Sequence, residues 1–367
     1  MRPSGFELWR LAIPLRGGFG HAASHRTTTE LVLVAAHGDD GRVGWGEALP
    51  RAYVTGEDLD TLFDRDAPAM AAAWLEAEAA DSLADVPGAI AALRDALPGA
   101  GRRLSCFGAF ELALLDLATQ AAGVGLEQVL GGFLGPALPA GIVIGFEVPT
   151  GKLERHCAAL RFGKRRHIKV KVGADDDETR MAIVARVFGD LPIRIDANAA
   201  WTAEEAMMRL ETLARFPIAS VEQPVAADDL ATMRRIREEL GMKVMADESV
   251  CTLDDARRVV EAGAADILNI RLGKMGGMLG AAAIHEFARA AGVAGSLGTM
   301  VGETGVLSRA SEIFGRCVPG FDYLDGKGQN AFLLAEDVLE PGGDPPSVSR
   351  DRVRKYAIGD PTRIGRV

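Results

Sequence analysis

The sequence predicts an α/β protein: a parallel (β/α)-barrel preceded by a smaller α+β domain. Three observations carry this expectation. Strands come before helices in the first third of the chain, and short apolar strands then alternate with amphipathic segments. The first turn of the alternating part has no GxGxxG, which sets the open doubly wound sheet behind the closed barrel. The chain has 367 residues, 48% apolar and 25% charged, enough for one large domain and one smaller.

Each element has its own reason. Residues 6–15 and the run Glu30-Leu-Val-Leu-Val-Ala-Ala36 read as strands, and after the turn at His37-Gly38-Asp39-Asp40-Gly41 residues 42–48 return as a third. Alanine-rich helical stretches follow at about 57–80, 86–96 and 106–122. The rhythm changes near Leu130-Gly131-Gly132. Strands are expected at 140–145, 167–172, 193–196, 220–222, 243–246, 267–271 and 295–297, with helical apolar spacing at 177–188, 203–214 and 230–240. Six or more such units favour a closed ring. The tail from about residue 326 is polar and Pro/Gly-rich, and is expected to return to the first domain. The expected division is 1–125 for the capping domain, 126–325 for the barrel and 326–367 for the tail.

Composition excludes several classes of function. A net charge of −10 provides no basic footprint for nucleic acid or an anionic membrane. No uninterrupted apolar run reaches the roughly 18 residues of a membrane span, and Glu7 and Arg10 break the start of the chain, so the cytoplasm is the expected compartment. The four cysteines are far apart, which argues against a zinc site or a disulfide framework, and no HExxH occurs.

The chemistry lies at the strand ends. Lys171, Asp196, Glu222, Asp247 and Lys274 recur at about one βα unit each, so each stands at the carboxyl end of its strand, where barrel active sites gather. Three carboxylates brought together repel unless a cation neutralises them, and oxygen-only ligands select a hard ion, magnesium first and manganese second. The bland alternative is that each acid caps a helix. Strand periodicity sends Lys169 and Lys171 to one face, into the mouth, where a metal and a neighbouring cation would lower a lysine's pKa toward that of a base. Lys274, some units further round, falls opposite. Two lysines flanking a divalent ion suit removal of the proton α to a carboxylate.

At these residues the chain resembles the enolase superfamily, specifically the muconate-lactonizing-enzyme-like subgroup of the mandelate racemase/muconate lactonizing enzyme family. The likeness spans nearly the whole chain. It implies a (β/α)8-type, modified TIM barrel with an N-terminal α+β capping domain completed by the C-terminal tail. It implies an enediolate intermediate, with Lys171 as acid/base, Lys169 as its electrostatic companion and Lys274 as the base on the opposite face. It further implies Asp196, Glu222 and Asp247 as magnesium ligands, buttressed by Asn198 and Glu248. Two lid loops follow by position: 17–26, with His21 and His25, and 51–56, with Tyr53. Dipeptide epimerases of the subgroup carry Asp-x-Asp at the eighth strand to bind an ammonium. Here Asp322-Tyr-Leu-Asp325 is one residue longer, and the 298–305 stretch has an extra residue before Glu303. The first expectation is racemisation or epimerisation of an amino-acid derivative or related carboxylate. Behind it stand β-elimination or cycloisomerisation, of the o-succinylbenzoate synthase or muconate cycloisomerase type, and then a non-catalytic scaffold. The expected partners are a small carboxylate and further copies of the chain.

Overall fold

A computed structural model describes residues 3–21, 24–77, 80, 82–97, 103–162, 167–189, 191–343 and 346–367, apart from the side chains of 18–21, 24, 25 and 162. The chain opens with a long hairpin, β1 (Gly5–His21) and β2 (Ser24–His37), joined by β3 (Val43–Ala48). Strand β11 (Thr362–Gly365), close to the end of the chain, pairs antiparallel with β1, giving the sheet order β11-β1-β2-β3. The hairpin runs past residue 15: Gly20 pairs with His25 and His21 with Ser24, so the segment expected as a loop at 17–26 is built largely of paired backbone.

Helix Leu104–Ala122 lies across this sheet. By length and composition it could cross a bilayer, but Glu111 and Asp116 interrupt its apolar run and most of it is buried inside the molecule. Two glycines of β3 let it approach. A Cβ on Gly46 would fall 1.9 Å from Ala109 O, and one on Gly44 would fall 2.1 Å from Ala113 O. The other side of the helix meets the barrel, where Glu111 accepts a hydrogen bond of 3.0 Å from Leu279 N.

The barrel has seven parallel strands in sequence order: β4 (Ile142–Ile144), β5 (Ile168–Lys171), β6 (Ile193–Asp196), β7 (Ile218–Glu222), β8 (Val244–Ala246), β9 (Ile267–Ile270) and β10 (Ala294–Leu297). One residue closes the ring. Leu324 bridges in parallel to both Ala140 and Leu297, with Asp325 N donating to Leu297 O at 2.9 Å and Gly141 N to Leu324 O at 3.0 Å. The intervening helices follow from their signals. Thr202 and Thr252 form capping boxes with Glu205 and Asp255 at the starts of Ala203–Leu213 and Leu253–Glu261. The apolar stripe of each helix, such as Ala206, Leu210 and Leu213, is buried against the ring.

Candidate active site

The charged cluster is assembled by adjacent strands. In β5, Ile168 and Val170 leave one face while Lys169 and Lys171 leave the other, toward the mouth. Register places Lys171 beside Asp196 and Asp196 beside Glu222, and Asp247 follows the end of β8. All three carboxylates are fully buried. The turns behind them hold strained backbone: Asn198, Ala199 and Gln223 have φ of 47°, 58° and 35°. Gln223 secures that geometry. Its Oε1 accepts from Asp247 N at 2.9 Å and Ser249 N at 3.2 Å, while its Nε2 donates to Val225 O at 2.9 Å.

Within the cluster, Lys171 Nζ is 2.7 Å from Asp196 Oδ2 and also donates to Asn198 Oδ1. Lys169 Nζ lies 3.1 Å from Glu222 Oε2, 3.3 Å from Asp196 Oδ2 and 3.4 Å from Asp325 Oδ2. Asn269, which shares its phase on β9 with Arg271, donates to Glu222 Oε1 at 2.8 Å. Asn198 donates to Glu248 Oε1 at 3.3 Å.

These neighbours set the charges. Burial alone would lower the Lys169 pKa, but Glu222, Asp325 and Asp196 outweigh it and hold the ammonium above its usual range. Burial opposes ionisation of Asp196, yet Lys171 and Lys169 keep its carboxyl well below the ordinary carboxylate range. Asp247 is likewise lowered against burial, by Arg271 and Lys274. Glu222 is pushed up by burial and by Asp196, and Glu248 is pushed up to about 8 by burial and then by Asp247 and Asp196. Carboxylates crowded in this way call for positive charge.

The donor set fits a hard divalent cation: three buried carboxylates, all oxygen, on consecutive strands. Asp247 Oδ1 and Glu248 Oε2 are buried acceptors with no hydrogen bond, although the Lys274 ammonium approaches Asp247 Oδ1 to 2.9 Å. Among the described residues no three of these side chains already form a metal cage. The Arg271 guanidinium lies between two of them, with Nη2 3.3 Å from Glu222 Oε1 and in contact with Asp247 Oδ2.

Not every expected site residue reaches the mouth. Lys274 sits on the turn after β9 with no exposed surface. It donates to Val250 O at 2.8 Å and to Asp247 O, and is 2.9 Å from Asp247 Oδ1. Its ammonium is thus enclosed against Asp247, between that residue's backbone carbonyl and its carboxylate. Glu303 is buried away from the cavity, its oxygens accepting from Met300 N at 2.8 Å and Ser308 Oγ at 2.7 Å. Asp322 is exposed and also lies off the cavity. Asp325 does line it, but Arg194 holds its two oxygens at 2.8 Å each. Tyr53 lines the cavity from the capping domain, 49% exposed, with the Arg26 guanidinium over its ring. The side chains of His21 and His25 fall outside the described residues.

The cavity at the mouth measures about 560 Å³, within the ordinary range for a small-molecule site. Lys169, Lys171, Asn198 and Glu248 form one part of its wall and Arg271 another; Phe332 borders it from the tail and is largely exposed. Arg271 and Arg194 are the site residues that sequence reasoning missed. For Arg271 a signal existed: Asn269-Ile-Arg271 alternates as Lys169-Val-Lys171 does, and Arg271 stands nearer one βα step from Asp247 than Lys274 does.

Residues 152–347 match the family model described as enolase C-terminal domain-like. The chain is 34% identical to the L-Ala-D/L-Glu epimerase of Bacillus subtilis (strain 168), with 80% of each protein covered. It is 31% identical to the o-succinylbenzoate synthase of Geobacillus kaustophilus, over 91% of this chain and 86% of that one. The crystal structure of a dipeptide epimerase from Cytophaga hutchinsonii, complexed with Mg and D-Ala-L-Val, superposes with a TM-score of 0.85 at 25% identity, covering 99% of both chains. The fold, the strand-end residues and these likenesses agree: the chain belongs to the enolase superfamily, in its mandelate racemase/muconate lactonizing enzyme family, and is an enzyme of the isomerase or lyase kind that those relatives represent.

Proposed function

We propose that the protein removes the proton α to a carboxylate, with Lys171 as the base. One observation carries the reading: Lys171, Asp196, Glu222 and Asp247 stand on consecutive strands or just beyond them, at the same end of the ring and beside a cavity of substrate size. Asp196, Glu222 and Asp247 are the residues that would hold magnesium, with manganese as the second choice on the same oxygen chemistry. When bound, the ion would offset negative charge developing on the substrate carboxylate. Lys171 Nζ takes the proton, steered by Asn198. Lys169, kept as an ammonium by its carboxylate neighbours, adds fixed positive charge beside the reacting group. Tyr53 and Phe332 narrow the entrance against water.

The Arg194–Asp325 pair supports a substrate without a free ammonium, because the carboxylate that could receive one is already clasped by a guanidinium. An N-acylated amino acid fits that wall better than a dipeptide. The test is proton exchange in deuterated water with MgCl2, followed by NMR on both enantiomers of N-succinylarginine and on the stereoisomers of Ala-Glu. Lys171→Ala should slow exchange by at least about 10²-fold. Exchange at the wild-type rate in that variant would dismiss Lys171 as the base.

A further inference from the structure

A second cavity, of about 270 Å³, lies at the seam between the capping sheet and the tail, and it shares no lining residue with the cavity at the mouth. Glu7 and Trp9 reach it from β1, Arg363 from β11, and Arg350 and Arg354 from the helix Arg350–Tyr356. Glu7 and Trp9 stand near the start of β1, far along the strand from the hairpin tip at Gly20 and His21. Glu7 is buried, and its two oxygens divide between Arg363 Nε and Arg350 Nη1, at 3.1 Å each. Burial would raise its pKa, but the two guanidinium groups outweigh that and hold the carboxyl below its usual range. It therefore stays an anion and fixes both arginines in place.

One carboxylate does not use all that these arginines offer. Each guanidinium carries five N–H donors, and Glu7 takes one from each of two. Arg354, its side chain 63% exposed, has Asp351 at 3.6 Å, an exposed pair of little strength. Three guanidinium groups against Glu7 and Asp360 leave one positive charge in excess on the cavity wall. Trp9 is an independent sign. It is 6% exposed and lines the same cavity, yet its Nε1, which can only donate, is buried with no acceptor among the described residues. An orphaned donor beside unspent guanidinium groups calls for an acceptor.

We propose that this seam binds a phosphate group, held by Arg350, Arg354, Arg363 and the Trp9 indole. A carboxylate offers two oxygens in one plane, and Glu7 already fills that role from β1. A tetrahedral oxyanion presents acceptors in the several directions from which β1, β11 and the helix bring their donors. Gly359 leaves its wall open, with nothing within 4 Å of where a Cβ would stand, so a group esterified to the phosphate has a way out. Bound there, the anion bridges β11 and the helix to β1 and fastens the tail to the capping sheet. The site is independent of the α-proton reading.

The test is a titration of the full-length protein, in MgCl2, with sodium phosphate against sodium chloride of equal ionic strength. Nitrogen–proton NMR reads the four tryptophan indoles, with Trp9 assigned by Trp9→Phe. Phosphate should shift the Trp9 signal saturably and leave that of Trp201, on the barrel, in place. Arg354→Gln should weaken the binding by at least about tenfold, the loss of one charge-assisted hydrogen bond; Arg354 is exposed, and an unchanged thermal midpoint will show that the variant is folded. Lys171→Ala, at the mouth, should leave it unaltered. Glycerol phosphate, titrated in parallel, binds more tightly than inorganic phosphate if the ligand is an ester and no more tightly if it is the free ion. An unmoved Trp9 signal would overturn the proposal. Equal affinity in Arg354→Gln would mean an adventitious ion only, and loss of binding in Lys171→Ala would transfer the phosphate to the mouth; either result refutes the site.

Discussion

Glu222 is a buried carboxylate pressed by charges of both signs. It has no exposed surface, burial and then Asp196 push its pKa up, and Lys169, Asn269 and Arg271 all reach its two oxygens. A buried carboxylate in that position is stable as an anion only with positive charge around it. Glu222→Gln keeps the shape and removes the charge. Calorimetry with MgCl2 on chelator-treated protein should show affinity weakened by at least about tenfold; undiminished binding would remove Glu222 from the ligand set. At this scale the sequence was legible wherever a residue declared its chemistry by type and phase, as the three acids and the Lys-Val-Lys pair did. It was not legible for Lys274, since a lysine's name does not reveal whether its amine ends in a cavity or among carbonyls. Nor did it show that Asp325 would be claimed by Arg194 from a strand far away in the chain.

At the scale of elements, the contact between β3 and helix Leu104–Ala122 depends on missing side chains. The helix backbone approaches so closely that Ala109 O would sit 1.9 Å from a Cβ on Gly46. Backbone cannot step aside as a side chain can, so Gly46→Ala should cost about 2–3 kcal/mol, the scale of overpacking. Chemical denaturation would check it, and an unchanged midpoint would show that sheet and helix separate freely. The strands themselves were readable because each is a short run of Ile and Val bounded by turn residues, and the helices at Asp177–Phe188 and Leu230–Leu240 because their apolar spacing is unbroken. The hairpin tip was not. Its residues, Gly17, Gly18 and Gly20 among them, carry loop composition, while the pairing of Phe19, Gly20 and His21 comes from the partner strand.

Across the whole molecule, two buried carboxyls join the capping domain to the barrel. Glu47 accepts from Thr304 N at 2.9 Å and Thr304 Oγ1 at 2.6 Å, and Glu111 accepts from Leu279 N at 3.0 Å. Burial raises each from the usual 4.5 to about 7. Between those values the folded state binds more protons than the unfolded chain, so stability falls as pH rises. The contribution is complete below about pH 4.5 and is lost through about pH 7, on the order of 3 kcal/mol for each group. Thermal midpoints measured from pH 5 to 8 should therefore decline, and Glu47→Gln should flatten part of that decline; an equally steep profile in the variant would clear Glu47 of the effect. The ring has an asymmetry of its own. Seven staves are continuous strands, and the eighth is Leu324 alone, with Asp325 immediately after it. The cylinder is thus fastened by a clasp rather than a seam, and the stretch hanging from it, with Gln329, Phe332 and Leu333, forms the outer side of the chamber. Such a stretch can change length or contour without disturbing the parallel pairing around the rest of the circumference, which leaves the catalytic floor fixed while the shape of the compartment above it is free to diverge.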